Sequence, residues 1–140
     1  MKITRALILL FVITGFLACD GIEDVDCENF SYKDCDTVEP TWGEMKINLT
    51  INEENHAVPI TVYYSQLEDT IIDYYDTVYS EVIYLELYAG DEYTVTAEYK
   101  SGNRTILAVD SDEIEKIAEE MCGETCWSVE DAEVNVELIY

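Results

Sequence analysis

The chain has 140 residues, 31 of them acidic against seven basic and a single histidine, for a net charge of −24. So negative a surface repels nucleic acid, which needs a basic footprint. One histidine rules out a His-rich zinc site, and a hydrophobic share of 49% argues against a disordered polyanion.

Lys2 and Arg5 form a short positive head, and Ala6 to Ala18 is an uncharged run rich in Leu, Ile and Phe. These thirteen residues would rise only about 20 Å as a helix, against the roughly 20 residues that a bilayer core needs. The length fits a signal peptide over residues 1–18. Phe16-Leu17-Ala18-Cys19 closes the run. It resembles a lipobox, the motif of bacterial lipoprotein signal peptides, with Phe16 where Leu is commonest and Leu17 where a smaller residue is usual. Cys19 is then the lipidated first residue of the mature protein, carrying acyl chains such as palmitate. Two or more chains give stable anchoring. Cleavage removes two of the seven basic residues and leaves about −26, a charge that keeps the domain soluble and monomeric.

Removing Cys19 leaves Cys27, Cys35, Cys122 and Cys126. An even number outside the cytoplasm reads as two disulfides with three possible connectivities. The local pairing, Cys27–Cys35 and Cys122–Cys126, is marginally favoured; a crossed pairing would close longer loops and stabilise more. Four thiolates could also hold zinc, but neither spacing is that of a zinc knuckle.

Residues 19–41 read as an acidic tether without apolar periodicity, ending near Glu39-Pro40. Asp20, Glu23 and Asp24 follow Cys19 closely. A stretch of this kind stays hydrated and is repelled by anionic headgroups.

Strands occupy the rest, residues 42–140. Met45, Ile47, Leu49 and Ile51 alternate with Lys46, Asn48, Thr50 and Asn52, the period of a strand with one buried face. A polar turn over 52–56 leads to a strand from Val58 to Tyr64, with Pro59 near its start. A third strand is predicted from Thr70 to Asp76 and a fourth from Glu81 to Tyr88, the latter with Ile83, Leu85 and Leu87 on one face. Tyr93, Val95, Ala97 and Tyr99 mark the next strand. Ser101-Gly102-Asn103-Arg104 turns it into a return over Thr105 to Val109, the clearest hairpin in the chain. Ile114, Ile117, Ala118 and Met121 fall at helical spacing, with Asp110 and Glu113 placed for a capping box and Gly123 for a stop. This predicts a short helix over 111–121. The last strand spans Glu133 to Tyr140. About seven short strands separated by turns predict an all-β fold, an antiparallel β-sandwich.

Lys46-Ile47-Asn48-Leu49-Thr50-Ile51-Asn52-Glu53-Glu54-Asn55, Val58-Pro59-Ile60-Thr61-Val62-Tyr63, Asp91 to Tyr99 and Cys122-Gly123-Glu124-Thr125-Cys126-Trp127 carry a resemblance. In these stretches the chain resembles small acidic lipoproteins of Bacteroidetes-type bacteria with a transthyretin-like or carboxypeptidase-regulatory-like β-sandwich. The resemblance implies a non-catalytic domain, with 111–121 extended or irregular. It also implies an outer-membrane lipoprotein, displayed on the cell surface when acidic residues follow the lipidated cysteine closely.

Side chains that could do chemistry are few. His56 lies in a polar turn and reads as a solvated loop residue rather than a base. No serine has a nucleophile-elbow context, so no catalytic residue is assigned. Asp110-Ser111-Asp112-Glu113 offers carboxylates to Ca²⁺, with Asp110 and Asp112 the best placed. No EF-hand spacing is present, and no cofactor is implied. Eleven tyrosines invite glycan binding, since a tyrosine pairs a flat apolar ring with a hydroxyl; equally, Tyr suits strands and fills cores. Tyr63, Tyr74, Tyr75 and Tyr79 are the residues whose exposure decides between the two. The expected function is a membrane-anchored binding or accessory module for a glycan or an envelope protein. The alternative is a structural subunit lending an edge strand to an outer-membrane complex.

Overall fold

The structure, a computed structural model, describes residues 27–28, 31, 33, 35–65 and 71–139. The expected signal peptide, Cys19 with the stretch that resembles a lipobox, the first part of the expected tether and Tyr140 lie outside the described residues. The chain divides into two units, Met1–Phe30 and Ser31–Tyr140. Of the first, Cys27 and Glu28 are described, both in a turn.

The second unit is all-β. Its strands are β1 (Trp42–Asn48), β2 (Val58–Tyr64), β3 (Ile72–Val78), β4 (Val82–Tyr88), β5 (Asp91–Ser101), β6 (Arg104–Met121), β7 (Glu124–Glu130) and β8 (Ala132–Asn135). They form a three-stranded sheet, β4-β1-β8, and a five-stranded sheet, β3-β2-β5-β6-β7. Every pairing is antiparallel except that of β1 with β8. This is the β-sandwich that the alternation predicts.

The core follows the two-residue period. Met45, Ile47 and Leu49 from β1 and its extension, Leu87 from β4 and Val134 from β8 supply one layer. Val58, Ile60 and Val62 from β2 and Tyr93, Val95, Ala97 and Tyr99 from β5 supply the other. Tyr99 ties the layers together. Its hydroxyl donates to the Val136 carbonyl at 2.8 Å and accepts the Thr50 amide at 3.1 Å. Gly43 marks a close approach: a Cβ there would run into Ile114 Cγ2 and lie 2.9 Å from Val129 Cγ2.

Two expectations need correction. Residues 111–121 are the second part of a long strand, not a helix. β6 pairs with β5 as far as Ile114, then with β7 from Glu115 to Met121. On a strand the four apolar residues divide between faces: Ile114 is buried and Ala118 exposed on one, while Ile117 and Met121 are half-buried on the other. The helical stripe therefore has no single surface to cover, and the ladders satisfy the backbone instead. Gly123 does not end a helix. With φ of +85° beside Cys122 at +51°, it completes a two-residue hairpin turn of the I′ kind. Gly102, at φ +60°, opens the β5–β6 turn, as the hairpin reading requires. β7 is an eighth strand in a stretch read only as a disulfide loop.

The second correction concerns the cysteines. Cys35 is bonded to Cys126, across 91 residues, and Cys27 and Cys122 are each disulfide-bonded as well. The local pairing fails on geometry. Cys122 sits in the turn and Cys126 four residues along extended β7, roughly 13 Å away at the strand rise. A disulfide tolerates a Cα separation of only about 7 Å. The Cys35–Cys126 bond fastens the end of the expected tether to the sandwich. Asp36 also bridges to Trp127, and Glu39 pairs with Lys116 at 2.8 Å. The compact unit accordingly starts at Ser31, ahead of the expected boundary at Trp42.

Candidate functional site

The outer face of the three-stranded sheet is the most distinctive surface. In β4, Ile83, Leu85 and Leu87 turn inward, so Val82, Tyr84, Glu86 and Tyr88 turn outward. Hydrogen bonds from Leu49 N to Glu81 O (2.8 Å) and from Ala89 N to Thr41 O (3.0 Å) flank the β1–β4 ladder. They fix its phase: Trp42–Tyr88, Glu44–Glu86, Lys46–Tyr84 and Asn48–Val82 are the non-hydrogen-bonded pairs. Side chains of such pairs stand closest. Trp42 and Tyr88 accordingly stack, ring centroids 4.0 Å apart and planes at 25°. Both remain about half exposed, at 46% and 49%, and Tyr84 is 57% exposed farther along the same face.

The polar groups between the rings are of two kinds. Lys46 Nζ lies 2.6 Å from Glu133 Oε1, which also accepts from Asn48 Nδ2 at 2.8 Å. These hydrogen bonds lower the Glu133 pKa, and the bond to Glu133 raises that of Lys46. Glu44 and Glu86 face each other directly, a like-charge pair that the sheet holds at some cost. Rings that offer apolar faces, set among carboxylates and an amide, can stack on sugar rings and accept their hydroxyl protons.

The tyrosines singled out from the sequence divide differently. Thr61 faces outward on the five-stranded sheet, and Tyr75 opposite it does too, 69% exposed. Tyr63, two residues on from Thr61, shares that face and is half-buried. Tyr74 sits opposite buried Val62 and packs against the core. Its hydroxyl donates to Asp76 at 3.0 Å. Tyr79 lies beyond the end of β3, 70% exposed. Tyr75 and Tyr63 thus form a looser group than the stacked pair on the other sheet. Trp42 was missed because it falls at the expected tether boundary. The signal for Tyr84 and Tyr88 was present: both occupy the polar phase of a strand whose other phase is Ile83, Leu85 and Leu87.

Asp110 and Asp112 have structural work. Asp112 Oδ2 accepts the Glu133 amide at 2.8 Å and Asp110 Oδ2 the Asn135 amide at 2.7 Å, so β6 side chains hold β8. Among the described residues no group of three or more His, Cys, Asp or Glu is placed to hold a metal ion. His56 is exposed at the rim of an open cleft of about 340 Å³, with Glu54, Pro59, Glu98 and Lys100 in its walls. Asn55 fixes this loop to β5: its amide donates to the Lys100 carbonyl at 3.1 Å and accepts the Lys100 amide at 2.7 Å.

Compared with known proteins, the chain matches no family model, no curated protein and no solved structure.

Proposed function

We propose that this chain is a lipid-anchored, non-catalytic recognition domain of the bacterial cell envelope, and that it binds a neutral glycan across the outer face of the three-stranded sheet. The observation that carries the reading is the stacked Trp42–Tyr88 pair with Tyr84 on the same face. A soluble domain gains nothing in stability from leaving three large rings half in water, so an exposed aromatic group of this kind marks a binding surface. The open, flat face suits a chain of sugars better than a single small molecule held in a cavity. The net charge of −24 disfavours anionic polysaccharides. Two disulfides fit an oxidising compartment, in keeping with export through the 1–18 signal peptide and anchoring at Cys19. Display on the outer face of the outer membrane, through Asp20, Glu23 and Asp24, belongs to the same proposal.

Electrophoresis through gels containing soluble neutral polysaccharides tests the binding. At least one polysaccharide should retard the chain, and Trp42→Ala should remove the retardation. Equal mobility in all gels would count against the reading. Labelled palmitate should enter the wild type and not Cys19→Ala, and protease applied to intact cells should remove the domain if it is displayed outside.

The edge-strand reading has its own support in the open edge of β4. It can hold alongside glycan binding, because one uses backbone groups and the other ring faces.

A further inference from the structure

A sandwich of two open sheets has four strand edges, each a template for another strand unless blunted. Three are blunted over part of their length. On β8 the Glu133 and Asn135 amides are taken by Asp112 and Asp110. On β7 the Trp127 amide donates to the Asp36 carbonyl at 2.7 Å. β3 pairs with β2 through a bulge at Val62/Tyr63, and Asp76 Oδ1 accepts the Thr77 amide at 2.7 Å.

β4 differs. The phase of its ladder with β1 turns the backbone groups of Val82, Tyr84, Glu86 and Tyr88 away from β1. The two ends are capped: Ser80 Oγ donates to the Val82 carbonyl at 3.1 Å and the Tyr93 hydroxyl to the Tyr88 carbonyl at 3.2 Å. Between them, the N–H and C=O groups of Tyr84 and Glu86 have no partner among the described residues. Side chains mark the same window. Ile83 and Leu85 face the core yet stay half-covered, whereas Leu87 beside them is buried. On the outer side stand Tyr84, Glu86 and Tyr88, and no Lys or Arg lies between Lys46 and Lys100 in the sequence.

We infer that the open edge of β4 is a strand-addition site for an extended segment of another protein in which apolar and basic residues alternate. The added strand pairs with the backbone of Tyr84 and Glu86, as in other recognition by strand addition. Its apolar side chains cover Ile83 and Leu85. Its basic ones meet the Glu86 carboxylate, with Glu44 directly across from it. The negative charge of the chain opposes pairing with a second copy. This site does not depend on glycan binding.

The test uses the full chain in mild detergent with two capped nonapeptides, one alternating Val and Lys, the other Val and Glu. Amide hydrogen exchange at Tyr84 and Glu86 is the readout. The Val/Lys peptide should slow both amides at least tenfold, and the Val/Glu peptide should leave them unchanged. Glu86→Lys should reverse that preference, and Trp42→Ala should not alter it. Tyr84→Pro removes one edge N–H without touching the ladder to β1, so protection at Glu86 should vanish. Should that variant fail to fold, the reversal by Glu86→Lys still decides. Equal protection by both peptides, or by neither, would overturn the inference. So would protection without peptide that grows with protein concentration, which assigns the edge to a second copy.

Discussion

Replacing Tyr99 by Phe removes one oxygen from the centre of the sandwich. That oxygen makes two hydrogen bonds, from the Thr50 amide and to the Val136 carbonyl. Both partners belong to the layer opposite β5, so the hydroxyl is a buried polar link between the sheets, with two bonds where the Tyr93 hydroxyl makes one to Tyr88. Each bond contributes about 1 kcal/mol net, and leaving a buried partner unpaired costs about 1–3 kcal/mol. Tyr99 and Val136 are fully buried, so water cannot easily replace the lost oxygen. The expected loss is about 2–3 kcal/mol, a fall in Tm of roughly 10–20 °C for a domain of this size. Tyr93→Phe is the control. It removes one 3.2 Å bond to the Tyr88 carbonyl and should cost about 1 kcal/mol or less. Urea unfolding of both variants with disulfides intact measures the difference. The Thr50 amide should exchange faster in Tyr99→Phe alone. If the two variants differed by less than about 0.5 kcal/mol, the idea that Tyr99 pins the layers together would be wrong.

Gly43→Ala drives a methyl into Ile114 and Val129; it should destabilise by about 1–3 kcal/mol, read from the urea midpoint. Peptide mapping of non-reduced protein should recover a Cys35–Cys126 cross-link and no free thiol at Cys27 or Cys122; a Cys122–Cys126 peptide would contradict the extended β7. Asp110→Ala with Asp112→Ala should speed exchange of the Glu133 and Asn135 amides, and a Ca²⁺-dependent rise in Tm of the wild type would show that these carboxylates have another task. Stability should fall between about pH 10 and 12. Burial first, then the Asp91 charge, raises the Tyr93 pKa from 10.0 to about 12; the folded state therefore favours the neutral phenol, and that stability is full below the unfolded value and lost as pH climbs through the folded one. In Tyr93→Phe the alkaline limb should move to higher pH.

The sandwich was legible because its inner strands obey a simple period. Met45, Ile47 and Leu49, or Tyr93, Val95, Ala97 and Tyr99, fill every second position, and only a one-faced strand explains that. Where a strand lies at the rim, as in the second part of β6, few side chains are buried and the period fades. Ile114, Ile117, Ala118 and Met121 then mimic a helix, because three spacings cannot distinguish one stripe from two partly covered faces. β7 was hidden for the same reason: Cys126 is its only buried residue. The crossed disulfide was unreadable without that strand, since the distance from Cys122 to Cys126 depends on its being extended. The surface was partly legible. The strand pattern of Val82 to Tyr88 put Tyr84 and Tyr88 on the outside, but the partner of Tyr88 is Trp42, 46 residues earlier in the sequence, and only the register of β1 with β4 brings them together.

The proposed glycan-binding face is made of Trp42, Tyr84 and Tyr88. A glycan array probed with the full chain in detergent, side by side with Trp42→Ala and Tyr75→Ala, tests it most directly. Wild type and Tyr75→Ala should bind the same neutral oligosaccharides, and Trp42→Ala should lose them by at least tenfold. Binding that survives in Trp42→Ala but disappears in Tyr75→Ala would move the site to the other sheet, and an array blank for all three proteins would contradict the claim outright.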